Sequence, residues 1–419
     1  MISEEQTILP YDTAGFRCIG ASCEDTCCNG LNVPLEKATY EKYKNLPNGH
    51  LRSLADQYVV INSINSSDSH YGKIAMTPSR TCVFLSTERL CSLQKELGPE
   101  FLSATCAIYP RVRNEIKGKV ETSLHLSCPE AARLVLLGPP SGKVDLDTPS
   151  VQQANEFSAL NSEVTPSTHM PHFDLQEIRS FVIELLQERM YPLWQRLFLL
   201  ALVCDRLNKL SFAEQEGRVP QILRTYRDLI ATGALRGVLD GVPSQPAVRL
   251  DTVLRLADLC VRANANNRRF VDCFQIFLQG IGYSAESEQE SDTQRYVEAE
   301  DRYYRTFLQT HESLLENYLI HYVFKNLFPF GRRASSYYTP QSIFTEYELL
   351  AAHYVLVNGL LTGMAGYYQM TFSEAHAVKL VQSLSKTMEH SPALLREIAQ
   401  FIQSRDPKRI KGIAALLRS

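Results

Sequence analysis

The sequence predicts a mainly α protein, in which an N-terminal cysteine-rich metal-binding domain is followed by an all-helical C-terminal domain. Three observations carry this. Eight of the 11 cysteines lie within the first 128 of 419 residues, where an even scatter would place about three. From about Asp174 onward, apolar residues recur at three- and four-residue steps, the spacing of a helix face. Strand-like alternation is confined to KVETSLHL (119–126) and one partner. With 44% hydrophobic, 21% charged and 9% aromatic residues, the chain is globular, and its length allows two or three domains of ~150 residues.

Residues 1–138 hold short apolar pieces broken by Gly, Pro and Asn. Residues 139–173 are rich in Ser, Thr, Pro and Asn without a sustained apolar period, and read as a linker or crossing segment. The helical domain occupies 174–419. In its first helix Ile178, Phe181, Val182, Leu185 and Leu186 share one face, and Pro192 starts a second helix or kinks the first. Similar patterns run through 250–280, 296–327, 342–361, 372–388 and 392–404. Start signals are Thr371 or Ser373 before EAHAVKL, and Ser391-Pro392. The acidic stretch SAESEQESDTQ (284–294) reads as an exposed loop.

Charge narrows the function. There are 43 Lys+Arg against 46 Asp+Glu, and residues 1–140 carry 14 basic and 15 acidic side chains. A nucleic-acid binder held by phosphate contacts is excluded. The longest purely apolar run, Leu197–Cys204, has eight residues, well short of the ~20 of a membrane span. The start, MISEEQTILPYD, shows no secretory pattern, so a cytoplasmic location is expected. In a reducing compartment, clustered cysteines point to metal or redox chemistry before disulfides. Cys204, Cys260 and Cys273 sit in apolar helical stretches and read as buried core thiols.

The N-terminal motif is C-x4-C-x3-C-C: Cys18, Cys23, Cys27 and Cys28 in RCIGASCEDTCCNG, with Gly15, Gly20 and Gly30 permitting a tight wrap. Cys82, Cys91, Cys106 and Cys128 form a second set, and 53 residues separate Cys28 from Cys82. Close-set thiolates wrap a zinc ion or an iron–sulfur cluster with little rearrangement. No C-x2-C pair of a structural zinc finger is present, so iron–sulfur, zinc and unligated thiols all stay open. Local closure favours the first four cysteines. Adjacent Cys27 and Cys28 cannot easily aim both sulfurs at one centre, which leaves room for a ligand from the second set.

The runs YDTAGFRCIGASCEDTCCNG, CVFLSTERLCSLQKELGPEFLSATCAIYPR and LHLSCPEAARLVLL, with ENYLIHYVFKNLFPFG (316–331), resemble the flagellin lysine-N-methylase family of enterobacteria. That family lies within a wider zinc- or iron-chelating group with a CxxCxxCC-type signature. The resemblance implies an enzyme that transfers methyl groups from S-adenosylmethionine to flagellin lysine ε-amino groups and carries a four-iron–four-sulfur cluster. It implies that the cluster ligands come from the eight N-terminal cysteines. Here x4 and x3 replace the signature's x2 and x2, so it does not single out four of the eight. The alternative class is a zinc-stapled, non-enzymatic adaptor.

Candidate catalytic side chains are Tyr109 and Arg111 beside Cys106, and Tyr318 beside Glu316, Asn317 and Tyr322. Each also reads as structural, a turn in the first case and an aromatic core stripe in the second. No G-x-G-x-G follows a strand, so GLLTGMAG (359–366) reads as helix packing or a helix end. His125 reads as a strand residue. In the tail, Lys408, Arg409, Lys411 and Arg418 surround Ile410, Ile413 and Leu417, a pattern that allows at most weak peripheral membrane association. The expected partner is flagellin, no nucleic acid is expected, and a homo-oligomer is left open.

Overall fold

The computed structural model describes residues 7–8, 15–63, 67–116, 119–139, 175–210, 212–284, 286–329, 331, 342–405 and 410–418. They fall into two units that divide after Ala132. The expected linker, 139–173, lies outside the described residues apart from Pro139.

The first unit contains two small sheets where sequence patterning suggested one strand pair. In chain order its elements are β1 (Thr7–Ile8), β2 (Val33–Leu35), α1 (Lys37–Lys44), α2 (Gly49–Tyr58), β3 (Val59–Ile61), β4 (Gly72–Ile74), α3 (Ser92–Leu97), α4 (Ala104–Ile108), β5 (Arg111–Ile116) and β6 (Lys119–Leu124). Strand β4 lies between β2 and β3, antiparallel to both, with Val33 and Val59 each opposite Ile74. β5 and β6 form an antiparallel hairpin, and β1 joins β6 in parallel. Helix α2 starts because Asn48 Oδ1 accepts from the backbone N–H groups of His50 and Leu51. One face of α1 and α2 (Tyr43, Leu51, Ala55) closes over Val33, Leu35, Val59 and Ile74 together with Leu46, Phe84 and Leu93. Helix α5 (Pro129–Leu136) runs across the division.

The second unit is helical throughout its described length: α6 (Leu175–Leu186), α7 (Leu193–Asn208), α8 (Phe212–Ala231), α9 (Arg236–Asp240), α10 (Pro246–Ala263), α11 (Arg268–Gly280), α12 (Gln289–Ala299), α13 (Arg305–Lys325), α14 (Ile343–Tyr368), α15 (Glu374–Met388), α16 (Pro392–Arg405) and α17 (Ile410–Leu417). The wider π-turn Glu300–Tyr304 joins α12 to α13. Helix α14 is the axis, and α7, α10 and α11 pack against it. By length and composition it could cross a membrane, but 94% of its apolar window is buried inside the protein. The GLLTGMAG stretch is what lets α11 approach it. A Cβ on Gly363 would lie 2.3 Å from Phe277 Cδ2, and one on Gly280 would lie 1.9 Å from the Gly363 carbonyl oxygen. These glycines serve helix packing, as the sequence suggested.

One expectation is corrected. The acidic stretch forms a helix from Gln289: Glu290 and Asp292 stand in its first turn, where carboxylates favour the helix dipole, and Tyr296 and Ala299 bury one face. The tail helix α17 turns Ile413, Ala414, Ala415 and Leu417 into the unit, packing on α7 and α10. Arg418 donates to the Asp240 carbonyl at 3.0 Å and lies over Trp194. The apolar side of the tail helix thus packs within its own unit; Lys408 and Arg409 lie outside the described residues.

Candidate metal centre

The 53-residue gap between the two cysteine sets is closed by backbone pairing. Cys82 N–H donates to the Cys28 carbonyl at 2.7 Å, Gly30 N–H to the Arg80 carbonyl at 2.8 Å, and Asn29 forms a bridge with Thr81. Gly30 takes φ +79°, a left-handed conformation that suits glycine at this turn. A second bridge, Leu85 with Cys91, closes the loop that follows Cys82. The Arg89 side chain donates to the Cys23 carbonyl at 2.6 Å, which ties that loop back to the first set. Cys106 lies on α4, started by Ser103 Oγ accepting from Cys106 N–H.

This wiring groups the thiols. Cys82 lies within electrostatic reach of Cys106, Cys91 and Cys27; Cys106 reaches Cys91 and Cys27; and Cys91 reaches Cys27. Every pair among Cys27, Cys82, Cys91 and Cys106 is thus coupled. Cys128 reaches Cys23 and Cys27, and Cys23 reaches Cys18, so these three extend from the tetrad through Cys27. Cys28 and Cys91 both pack against the hydrophobic core of the unit, to which Cys82 itself belongs.

Burial pushes the Cys82 thiol up to about 12 and the Cys128 thiol up to about 12, and it also raises Cys91. Surrounding protein pushes Cys106 up to about 11 although the residue is solvent-accessible. Backbone N–H groups oppose these shifts, from Phe84 at Cys82, from Leu93 and Gln94 at Cys91, and from Glu130 and Ala131 at Cys128. The charged neighbours that shift Cys82, Cys91, Cys106 and Cys128 are other thiols and, at Cys106, Glu36, all of one sign. The donor set is several soft thiols with pre-aimed N–H groups. It fits a thiolate-bound metal centre, whose own charge would favour ionised sulfur.

Tyr43, which sequence reasoning missed, borders this group. Its hydroxyl donates to the Phe101 carbonyl at 2.7 Å. Burial raises it strongly, with further contributions from Cys106, Cys91 and Cys82, so it stays a protonated phenol. Nothing in a lone tyrosine 39 residues before Cys82 signals this; only the fold does.

The other candidates have structural partners. Tyr109 OH shares a 3.1 Å hydrogen bond with Ser127 Oγ and its ring stacks on His125. Arg111 lies over the Phe16 ring. In the helical unit Tyr318 is buried, with its hydroxyl 2.9 Å from His353 Nδ1, and Glu316 accepts from Arg189 and Arg196. Cys204, Cys260 and Cys273 are buried in helices.

Fold and site together define a two-unit protein in which a thiol-lined N-terminal unit precedes a helical unit built around one buried helix. A family model described as the FliB lysine N-methylase C-terminal domain matches residues 179–416, and the chain belongs to that family. The Lysine-N-methylase of Salmonella choleraesuis (strain SC-B67) is 23% identical over 411 residues, covering 94% of each chain. The Lysine-N-methylase of Salmonella typhimurium (strain LT2) aligns to the same extent. The flagellar biosynthetic protein FliU of Salmonella muenchen is 35% identical over 131 residues, 31% of this chain and 76% of that one. No solved structure matches the chain significantly.

Proposed function

We propose that this protein methylates flagellin lysine ε-amino groups with S-adenosylmethionine as donor, and that Cys27, Cys82, Cys91 and Cys106 hold a four-iron–four-sulfur cluster. The observation that carries the cluster is the backbone pairing of Cys82 with Cys28 and of Leu85 with Cys91, which brings these four thiols within electrostatic reach of one another. Full-length alignment with lysine N-methylases supports the methyl transfer, and the flagellar name of a third relative supports flagellin as substrate.

When bound, the cluster supplies positive charge among the thiolates and access to one-electron chemistry. The chain's own contributions are distinct. Backbone N–H groups of Phe84, Leu93 and Gln94 offset part of the rise that burial imposes on Cys82 and Cys91 and would favour their thiolates once a metal is bound, and Tyr43 keeps a neutral phenol near them. A lysine amine attacks only once it has lost its proton, and the donor's sulfonium is already activated, so the protein must align the two and exclude water. We place the reaction in the cytoplasm, where flagellin is present before export.

The test is anaerobic purification of the full-length protein, iron and sulfide counts, and mass spectrometry of flagellin incubated with it and S-adenosylmethionine. Brown protein with broad absorbance near 400 nm and methylated lysines supports the reading. Colourless, zinc-loaded protein without methyl transfer would instead establish the zinc-stapled adaptor.

A further inference from the structure

Helix α1 carries no cysteine, yet one of its side chains touches two of the segments that carry the thiols. Tyr43 is buried, and its ring meets Phe84 edge-on with centroids 5.9 Å apart. Phe84 belongs to the loop between Cys82 and Cys91. Its N–H faces the Cys82 sulfur, and its carbonyl accepts from Ser92 N–H at 2.7 Å. At its other end Tyr43 reaches the segment before Cys106, 58 residues on, where its hydroxyl donates to the Phe101 carbonyl at 2.7 Å. A phenylalanine would fill the same core space, so this contact is what the phenol adds.

Ser103 passes this anchorage to Cys106. It is completely buried, and its backbone N–H faces the Tyr43 hydroxyl. Its Oγ accepts from Cys106 N–H at 3.2 Å and its carbonyl accepts from Ala107 N–H at 2.8 Å, so it holds the first turn of α4. That helix has five residues, too few to keep its shape unaided. The placing of the Cys106 side chain therefore depends on how segment 101–103 is held. Lys42, the exposed neighbour of Tyr43, adds an outer clamp by donating to the Glu100 carbonyl at 2.7 Å.

We propose that Tyr43 is a positioning residue of the thiol centre, setting Cys106 against Cys82 and Cys91 with its ring braced on Phe84 and its hydroxyl on Phe101. This rests on the four thiols being cluster ligands, whereas the effect of the hydroxyl on Cys106 needs no metal.

The experiment is timed labelling of each cysteine with N-ethylmaleimide, read by peptide mass spectrometry, on full-length protein purified anaerobically. Iron release to a chelator is followed alongside as loss of absorbance near 400 nm. Tyr43→Phe keeps the ring against Phe84 and loses the hydroxyl. It should label Cys106 about fivefold faster than the parent, the loss of one ordinary hydrogen bond, with Cys82 and Cys91 unchanged. Iron release should quicken by a similar factor. Ser103→Ala should act in the same way, and the double variant should add little to the larger single effect, because both lie in one chain of contacts. Tyr40→Phe, on the same helix against Tyr71, is the control and should match the parent. Parent-like Cys106 labelling in Tyr43→Phe, equal acceleration at Cys82 and Cys91, additive single effects, or unchanged iron release from brown Tyr43→Phe protein would each overturn the proposal. A colourless parent would remove the cluster reading alone, because Cys106 labelling still decides the role of Tyr43.

Discussion

Replacing Glu346 with glutamine should remove a fall in stability between pH 6.5 and 8. Glu346 is buried on α14, and its Oε1 accepts from Tyr322 OH at 3.2 Å. Burial raises its carboxyl from 4.5 to about 8, against a smaller lowering by Tyr322, so the folded protein keeps it protonated at neutral pH. The unfolded chain ionises it above about 4.5, so stability falls as pH rises from there to about 8 and then levels. His353, on the same helix, is lowered to about 3 by burial and then by Lys325. It stays neutral when folded but takes a proton in the unfolded chain below 6.5, so its effect on stability rises with pH and ends there. Above 6.5 the Glu346 effect stands alone, and 1.5 pH units at 1.36 kcal/mol each make it about 2 kcal/mol. The glutamine side chain would keep an oxygen acceptor for Tyr322 and cannot ionise. The assay is urea unfolding followed by fluorescence of Trp194, the single tryptophan, which lies in α7 of the helical unit. The difference in unfolding free energy between Glu346→Gln and the parent should grow by about 2 kcal/mol from pH 6.5 to 8. A difference that stays constant over that range would refute the reasoning.

Three further outcomes follow from packing. Gly363→Ala should cost about 1–3 kcal/mol by forcing α11 from α14, whereas Gly217→Ala, with open space at its Cβ, should be neutral or stabilising by up to about 1 kcal/mol; both are read by urea midpoints. Arg196 is buried and donates to Glu312, Glu316 and the carbonyls of Leu186 and Tyr191. Arg196→Leu should therefore cost about 3–5 kcal/mol, seen as a lowered thermal midpoint. Tyr318→Phe should cost about 1–3 kcal/mol by leaving His353 Nδ1 without its partner. It should keep the proposed methyl transfer per folded molecule, and loss of that activity with unchanged stability would instead make Tyr318 catalytic.

Much of the helical unit is legible because its surface helices obey simple rules. Ile178, Phe181, Val182, Leu185 and Leu186 are buried along α6, and Pro192 directly precedes α7. Ser373 caps α15, its hydroxyl within 3.0 Å of His376 Nδ1, and Pro392 opens α16. The centre is harder to read. Helix α14 is buried on all sides over most of its length, so it presents no stripe, and its Glu346, Glu348 and His353 resemble surface residues in sequence. The sheet of β2, β3 and β4 escapes notice because strands of three residues are too short to show alternation. At the thiol site, composition identified the eight cysteines but not their grouping. That grouping depends on long-range backbone pairing, Cys82 with Cys28 and Leu85 with Cys91.

The most direct test of the central claim is iron and acid-labile sulfide per chain in single Cys→Ser variants purified anaerobically. Cys27→Ser, Cys82→Ser, Cys91→Ser and Cys106→Ser should each lose the cluster and its absorbance near 400 nm. Cys260→Ser, inside α10, should retain both. Full iron and sulfide in any of the four tetrad variants, or their loss in Cys260→Ser with the protein still folded, would contradict the assignment.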